Sequence, residues 1–250
     1  MQVSEPYIRG ATQRSLGGSG FEETMARTRA TNYDDKRRGI LSRSARLFSE
    51  HGYTGTSITM IADACGVSKA LMYHYYPSKD AVLFDLLEDH LQHLVTVVDA
   101  AAQSSGDPSE RLFAIAAVLL EAYRGADAEH QVQISSLKLL PPEQQEALKA
   151  LERKLVVSMS DAIAAAIPPA AAKPELLKPL TMSLFGMLNW HYLWFREGKG
   201  LSRETYAQMV TTLMIAGAEQ AIDAITEPPA KTERAATRKK SERAVLARRA

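Results

Sequence analysis

The stretch from Thr56 to Lys79 contains, in order, the parts of a helix-turn-helix. Its first part has apolar or small residues at helical spacing, namely Ile58, Ile61, Ala62 and Cys65. Gly66 can provide a left-handed turn, Ser68 can cap a second helix, and Pro77 stops that helix. In such a motif the start of the second helix enters the major groove of DNA. The chemistry that this spacing indicates is therefore DNA recognition.

A basic helix is expected just before this stretch, from Asp34 to Gly52. Its apolar stripe consists of Ile40, Leu41, Ala45, Leu47 and Phe48, and its other faces carry Lys36, Arg37, Arg38, Arg43 and Arg46. The cations Lys36, Arg37 and Arg38 would add to a phosphate-binding surface. Each of them could equally lie on a solvated face.

Residues 34–80 resemble the DNA-binding domain of the TetR/AcrR family of bacterial repressors. The residues that carry the resemblance are Ile40-Leu41, Ala45, Leu47-Phe48, Gly52-Tyr53, Thr56-Ser57, Ile61-Ala62, Gly66-Val67-Ser68, Tyr73 and Pro77-Ser78-Lys79. The resemblance implies that Lys69, Ala70 and Leu71 face DNA bases at the start of the recognition helix, which opens at Ser68. It also implies that the DNA backbone is held by Tyr73, Tyr75 and Lys79, with a further contact from Thr59 on the preceding helix.

Leu71 departs from the family pattern, which often has Thr at this position. A leucine can touch a thymine methyl group but cannot hydrogen-bond a base edge. Two interpretations follow: Leu71 contacts a base, or it packs inward and Lys69 does most of the reading.

The rest of the chain is predicted to be helical, which makes the fold all-α: a three-helix DNA-binding domain followed by a larger helical domain. Helices are expected near 84–99, 110–125, 129–139, 146–165, 174–197 and 202–226. The predicted organisation is a flexible N-terminal arm (1–33), the DNA-binding domain (34–80), an effector-binding and dimerisation domain (81–227) and a basic disordered tail (228–250). In the arm, Arg27 and Arg29 could reach a minor groove.

The resemblance implies a homodimer that forms through the last two helices. The final helix carries the small residues Ala216, Gly217, Ala218 and Ala221, which permit close approach of another helix. The same residues could serve packing within one chain.

The candidate effector-binding residues lie in two segments. The middle helices contribute polar groups that could orient a ligand in an apolar cavity, namely Tyr123, Arg124, His130, Gln133 and Ser136. The segment 185–196 is unusually aromatic and contributes Trp190, His191 and Trp194. It looks like the penultimate helix of family members that sense acyl-CoA thioesters. An aromatic stripe of this kind could instead be core or dimer interface.

Charge is segregated along the 250 residues, although the formal net charge is only +1. Residues 27–80 hold nine Lys and Arg against five Asp and Glu, and residues 81–230 hold 11 against 19. The tail, 231–250, holds eight against two and could supplement DNA binding. The first of these segments would attract a polyanion and the second would repel it.

Other classes of protein are not expected. No apolar run reaches the ~18 residues of a membrane span, and no signal-peptide pattern is present, so we expect a cytoplasmic protein. One cysteine, Cys65, excludes a disulfide framework. His90 and His93 with Asp89 have helical spacing but no third-ligand motif, so no metal or cofactor is expected. No nucleophile or phosphate-loop motif points to an enzyme.

The expected function is therefore that of a ligand-responsive transcriptional regulator. In its simplest form it is a repressor that binds a palindromic DNA operator as a dimer and is released by a small-molecule effector, such as an acyl-CoA from fatty-acid, steroid or aromatic-acid breakdown. Two alternatives are an all-helical carrier or enzyme with an unused helix-turn-helix, and an architectural DNA-binding protein without an effector.

Overall fold

The computed structural model describes residues 19–104 and 106–226, with side chains from residue 33 onward. Within these ranges the chain is helical, contains no β-strand, and confirms the predicted all-α fold. The helices are α1 (Ser19–Gly55), α2 (Ile58–Cys65), α3 (Lys69–Tyr75), α4 (Lys79–Ala102), α5 (Pro108–Ala122), α6 (Asp127–Ser136), α7 (Pro142–Ala166), α8 (Pro168–Ala171), α9 (Pro174–Asn189), α10 (His191–Trp194) and α11 (Arg203–Thr226). A single 3-10 turn, Leu137–Leu139, follows α6.

The chain divides into two compact units, Met1–Val82 and Leu83–Ala250. The first contains α1 to α3 with the start of α4, and the second contains the remaining helices. None of the described helices is both long enough and apolar enough to cross a membrane. The basic tail lies outside the described residues, as do residues 1–18 of the predicted arm.

The first helix begins fifteen residues earlier than the predicted start at Asp34, because α1 extends back to Ser19. The added segment holds two Glu, two Ala, two Arg and one Met, which favour a helix by intrinsic propensity without forming an apolar stripe. A search for apolar periodicity therefore misses it. The predicted end is confirmed, since Gly52 has a left-handed φ of 71° that interrupts the helix.

Local hydrogen bonds set the ends of the next two helices. The Ser57 side chain accepts a hydrogen bond from the amide of Met60 at the start of α2, and Ser68 accepts one from Leu71 at the start of α3. Gly66 ends α2 in the left-handed conformation, with a φ of 65°. Buried Ile61 and Met72 anchor the inner faces of the two helices. The residues at the start of α3 are thereby held on the outer face.

The second unit is a bundle in which α5 packs against α7 and α11, and α9 packs against α7, α8 and α11. Its core side chains include Leu112, Ile115, Leu119, Leu148, Met159, Leu184 and Val210. The predicted break at Gly106-Asp107-Pro108 is present, and Asp107 forms a capping box with Glu110. The helix expected over 174–197 is interrupted at Trp190, which separates α9 from the short α10.

Candidate DNA-binding surface and effector cavity

The start of α3 presents an exposed surface made of the residues predicted to read DNA. Lys69 and Ala70 are exposed, and Tyr73 is 47% exposed. The Lys69 Nζ lies 6.0 Å from the centroid of the Tyr73 ring. Because Met72 is fully buried between them, the exposed side chains are fixed on one side of the helix. An exposed cation at the start of a recognition helix is the arrangement with which such helices meet base edges in a major groove.

Leu71 is 38% exposed, so it is neither fully packed inward nor free of contacts. It lines a groove of about 330 Å³ whose other walls include Lys36, Arg43, Val67 and Tyr75. The side chain is therefore available to a thymine methyl group at the edge of that groove.

Tyr75 and Thr59 occupy different settings. The ring of Tyr75 stacks on that of Tyr33 from α1, with centroids 5.0 Å apart and an interplanar angle of 21°. Tyr75 is half-buried, whereas Thr59 is exposed on α2. Stacking holds the Tyr75 ring in place, which leaves its hydroxyl group as the part that could meet a phosphate.

The Lys79 side chain forms hydrogen bonds with the backbone at the C-terminal end of α1. Its Nζ donates to the backbone oxygen of Tyr53 at 2.6 Å and to that of Thr56 at 2.8 Å. The Tyr53 hydroxyl group in turn donates to the Asp80 carboxylate. Partial burial lowers the pKa of Lys79. An ammonium group has three N–H donors, so one of them is left for a phosphate.

The three predicted cations of α1 differ in their surroundings. Lys36 is exposed, and Arg38 is exposed but pairs with the carboxylate of Asp35. Arg37 is half-buried and has an interaction partner of its own. Lys36 is thus the most available of the three. The side chains of Arg27 and Arg29 lie outside the described ones.

The second unit contains a cavity of about 230 Å³. Its lining residues come from α4, α5, α6, α7 and α9, and are Leu94, Tyr123, His130, Gln133, Glu152, Leu155, Val156, Met182, Phe185 and Asn189. Three of the predicted effector-binding residues, Tyr123, His130 and Gln133, are therefore brought together in its wall. Apolar side chains make up most of the remainder, as is usual for small-molecule sites.

Two residues absent from the sequence-based set organise the polar part of this wall. Tyr123 donates its hydroxyl hydrogen to Asn189 Oδ1 at 2.9 Å, and His130 Nε2 lies 3.1 Å from the Asn189 backbone oxygen. Gln133 Nε2 donates to Glu152 Oε1 at 3.0 Å. Asn189 lies beside the aromatic segment, but nothing in its local sequence signals a partner 66 residues away.

Burial favours the neutral forms of Tyr123 and His130 in the cavity wall. It lowers the pKa of His130 and raises the pKa of Tyr123. His90 packs edge-on against His130 with ring centroids 6.2 Å apart, and burial lowers the pKa of His90 to about 3. At neutral pH both imidazoles are therefore uncharged.

The other five predicted effector residues do not line the cavity. Arg124 is exposed and forms ion pairs with Glu121 and Glu197, at 2.7 and 3.4 Å. Ser136 is buried and lies 3.1 Å from the hydroxyl group of Ser135. Trp190, His191 and Trp194 of the aromatic segment are absent from the lining, although Tyr192 of the same segment packs edge-on against His130 with ring centroids 5.7 Å apart.

His191 is the buried centre of an aromatic cluster in this segment. Its ring stacks on Phe195 with centroids 4.1 Å apart and lies 5.2 Å from Tyr206 of α11. Trp190 and Trp194 are 51% and 55% exposed. His191 thus belongs to the core of this unit, while Trp194 and Phe195 also line a groove of about 320 Å³.

A helix-turn-helix with an exposed recognition helix, in one chain with a helical unit that contains a partly open cavity, is the arrangement of ligand-responsive transcriptional regulators. Two family models match the chain: "Bacterial regulatory proteins, tetR family" over residues 40–86 and "Tetracyclin repressor-like, C-terminal domain" over residues 105–218. Together they span more than half of it, and the chain belongs to the TetR family.

Known proteins agree with this assignment. A TetR-family regulator from Bordetella parapertussis 12822 is 36% identical, with a TM-score of 0.68 over 72% of this chain and 93% of its own. The structure of AibR in complex with isovaleryl coenzyme A and operator DNA is 29% identical, with a TM-score of 0.63 over 72% of this chain and 98% of its own. The repressor KstR2 of Mycolicibacterium smegmatis is 24% identical over 190 residues, 74% of this chain and 91% of the relative.

The prediction of a ligand-responsive, DNA-binding repressor rather than an enzyme is confirmed at the level of the family. TetR regulators bind DNA operators, typically as dimers with small-molecule effectors. The carrier and the architectural protein are not favoured.

Proposed function

We propose that this protein is a homodimeric repressor that leaves its operator when an acyl-CoA thioester binds, with the acyl group in the cavity of α4 to α9. The observation that carries the proposal is the cavity itself, whose wall combines Tyr123, His130 and Gln133 with apolar side chains. In addition, this chain is similar to AibR, whose crystal structure contains isovaleryl coenzyme A and operator DNA. The protein would act in the cytoplasm, where its DNA target lies.

The size of the cavity favours a short acyl group. Whole small-molecule sites measure about 300–1,000 Å³. A volume of about 230 Å³ is below that range, so only the acyl end of a thioester would enter. The much larger nucleotide part would remain outside, where its phosphates keep their hydration.

On the DNA side, we assign base reading to Lys69, with methyl contacts from Ala70 and Leu71. The phosphate contacts are assigned to residues of the recognition helix and its surroundings, namely Thr59, Ser68, Tyr73, Tyr75, Lys79, Lys36, Arg37 and Arg38. Contacts of this kind make affinity fall steeply with salt.

The proposed dimer uses the outer faces of α9 and α11. Met182 on α9 and Met209 and Leu213 on α11 are large apolar side chains that one chain leaves exposed. Ala216, Gly217 and Ala221 are exposed as well, and would let a second copy approach closely, whereas Ala218 is buried within its own chain. A dimer matches a palindromic operator because each recognition helix reads one half-site.

The ligand would act by shifting the dimer between two arrangements, one that fits the half-site spacing and one that does not. It can do so only through a difference in its affinity for the two. The test is a bandshift with DNA from upstream of the protein's own gene and its neighbours, at 50–100 mM salt, repeated with a panel of acyl-CoA thioesters. Tight binding that one thioester abolishes supports the proposal. Binding that no thioester affects removes the acyl-CoA effector, and no specific binding removes the repressor.

A further inference from the structure

Two hydrogen-bond donor groups of the cavity wall already have a partner. The Tyr123 hydroxyl group donates to Asn189, and the Gln133 amide nitrogen donates to Glu152. His130 Nε2 faces a backbone carbonyl oxygen, which can only accept a hydrogen bond. His130 must therefore carry its proton on Nε2, and its Nδ1 presents a lone pair.

Two buried acceptors are left over. His130 Nδ1 and Gln133 Oε1 have no hydrogen-bond partner within the described part of the chain. The orientation of the Gln133 amide is set by Glu152, because a carboxylate oxygen requires the NH₂ end to face it. His130 and Gln133 are three residues apart on α6, so both acceptors belong to one face of that helix.

We propose that the effector of this cavity carries a hydroxyl group on its acyl chain, which donates a hydrogen bond to His130 Nδ1 or Gln133 Oε1. This inference rests on the proposed function and specifies the class of thioester: a short hydroxyacyl group rather than a saturated or keto one.

The three classes differ in what they offer to the wall. A saturated chain leaves both acceptors unpaired after water has been expelled, which is costly for buried polar atoms. A keto oxygen can accept from the amide Nδ2 of Asn189, but it leaves His130 Nδ1 and Gln133 Oε1 unpaired. A hydroxyl group donates, and its oxygen can still accept from the second end of the Asn189 side chain, the amide Nδ2.

The experiment compares four-carbon thioesters by calorimetric titration of the full-length protein. The probes are 2-, 3- and 4-hydroxybutyryl-CoA, butyryl-CoA and acetoacetyl-CoA. We expect at least one hydroxyacyl-CoA to bind roughly tenfold more tightly than butyryl-CoA and more tightly than acetoacetyl-CoA. Equal affinities for the hydroxylated and saturated chains, or tighter binding of the keto chain, overturn the inference.

Matched variants test whether the two acceptors cause the preference. Gln133→Met and His130→Phe should each reduce the discrimination between hydroxylated and saturated chains, and the Gln133 variant is the milder change to the fold. Gln131→Met and His93→Phe, at exposed positions on α6 and α4, serve as controls and should retain it. Discrimination that survives in both Gln133→Met and His130→Phe overturns the assignment.

A separate arm distinguishes this inference from the acyl-CoA proposal. If none of the thioesters binds, the acyl-CoA effector is wrong, and ligand-observed NMR with butan-2-ol and butan-2-one decides between donor and acceptor. Preferential binding of the alcohol, lost in Gln133→Met, supports a donor-selective cavity. No preference, or no binding of the alcohol, overturns it.

Discussion

The Nζ of Lys79 donates to the backbone oxygen of Tyr53 at 2.6 Å and lies 4.2 Å from the centroid of the Tyr53 ring. Lys79 therefore caps backbone carbonyl groups at the C-terminal end of α1 and retains one N–H that can donate a hydrogen bond to a DNA phosphate. The structural and DNA-binding contributions of Lys79 are separable by experiment.

Lys79→Ala should lower the free energy of unfolding by about 1–3 kcal/mol, because two hydrogen bonds to a charged donor are lost. Affinity for specific and random DNA should fall together, and the slope of log K against log salt should flatten by about 0.9 if a phosphate contact is also lost. Urea denaturation and bandshifts over a salt series measure the two effects. Lys36→Ala, at an exposed position, should flatten the slope without the loss of stability. An unchanged slope in Lys79→Ala would leave this lysine a purely structural role.

Lys69→Ala should change sequence preference. The side chain is exposed at the start of α3, where base edges are read, so its loss should cost about 1–3 kcal/mol on the operator and much less on random DNA. Competition binding with operators substituted one base pair at a time locates the position that it reads. Equal losses on specific and random DNA would contradict the assignment.

Ser68 offers a test that separates capping from DNA contact. Its side chain accepts a hydrogen bond from the Leu71 amide at 3.1 Å, so Ser68→Ala should cost about 1 kcal/mol of stability. Ser68→Asp retains a cap but adds a negative charge where the backbone of DNA is expected, so it should preserve stability and weaken DNA binding. Thermal unfolding and bandshifts on both variants check this. Wild-type DNA affinity in Ser68→Asp would place Ser68 away from the phosphates.

Stability should fall as the pH is lowered from 7 to 5. Burial lowers the pKa of His90 to about 3, with contributions from His130 and His93. Below pH 6.5, the ordinary pKa of histidine, His90 takes up a proton in the unfolded chain but not in the folded chain. The free energy of unfolding is therefore higher above that pH and falls as the pH is lowered below it. At pH 5 the loss from this group is about 2 kcal/mol, and the lowered pKa of His130 acts in the same direction.

Urea denaturation at pH 7 and pH 5 measures this loss. His90→Gln should remove about half or more of it, whereas His93→Gln, at an exposed position, should not. A His90→Gln variant that loses as much stability as the wild type would show that other groups are responsible.

Leu213→Glu should convert the proposed dimer to a monomer, because a second copy would have to bury an unpaired carboxylate at a side chain that is 59% exposed in one chain. Operator affinity should drop at least about tenfold once the two half-sites are bound separately. Sedimentation velocity and bandshifts measure the two effects. Val157→Glu, on the exposed face of α7, is the matched control and should stay dimeric. A dimeric Leu213→Glu would place the interface elsewhere.

The helix-turn-helix can be predicted without a structure, because residues nearby in the chain set the ends of its helices. Ser57, Gly66 and Ser68 act on amides and carbonyl groups within four residues, so their roles can be read from spacing alone. The early start of α1 was not predicted, since helix propensity without an apolar stripe leaves no periodic signal.

Which polar residues meet depends on how distant helices pack. Tyr123 and His130 share the cavity with Asn189 because α5, α6 and α9 pack together, and Lys79 reaches Tyr53 across 26 residues. The same packing, with a helix break at Trp190, buries His191 and leaves Trp194 exposed. Each of these side chains thus takes its role from neighbours that distant helices supply, and the local sequence does not show those neighbours.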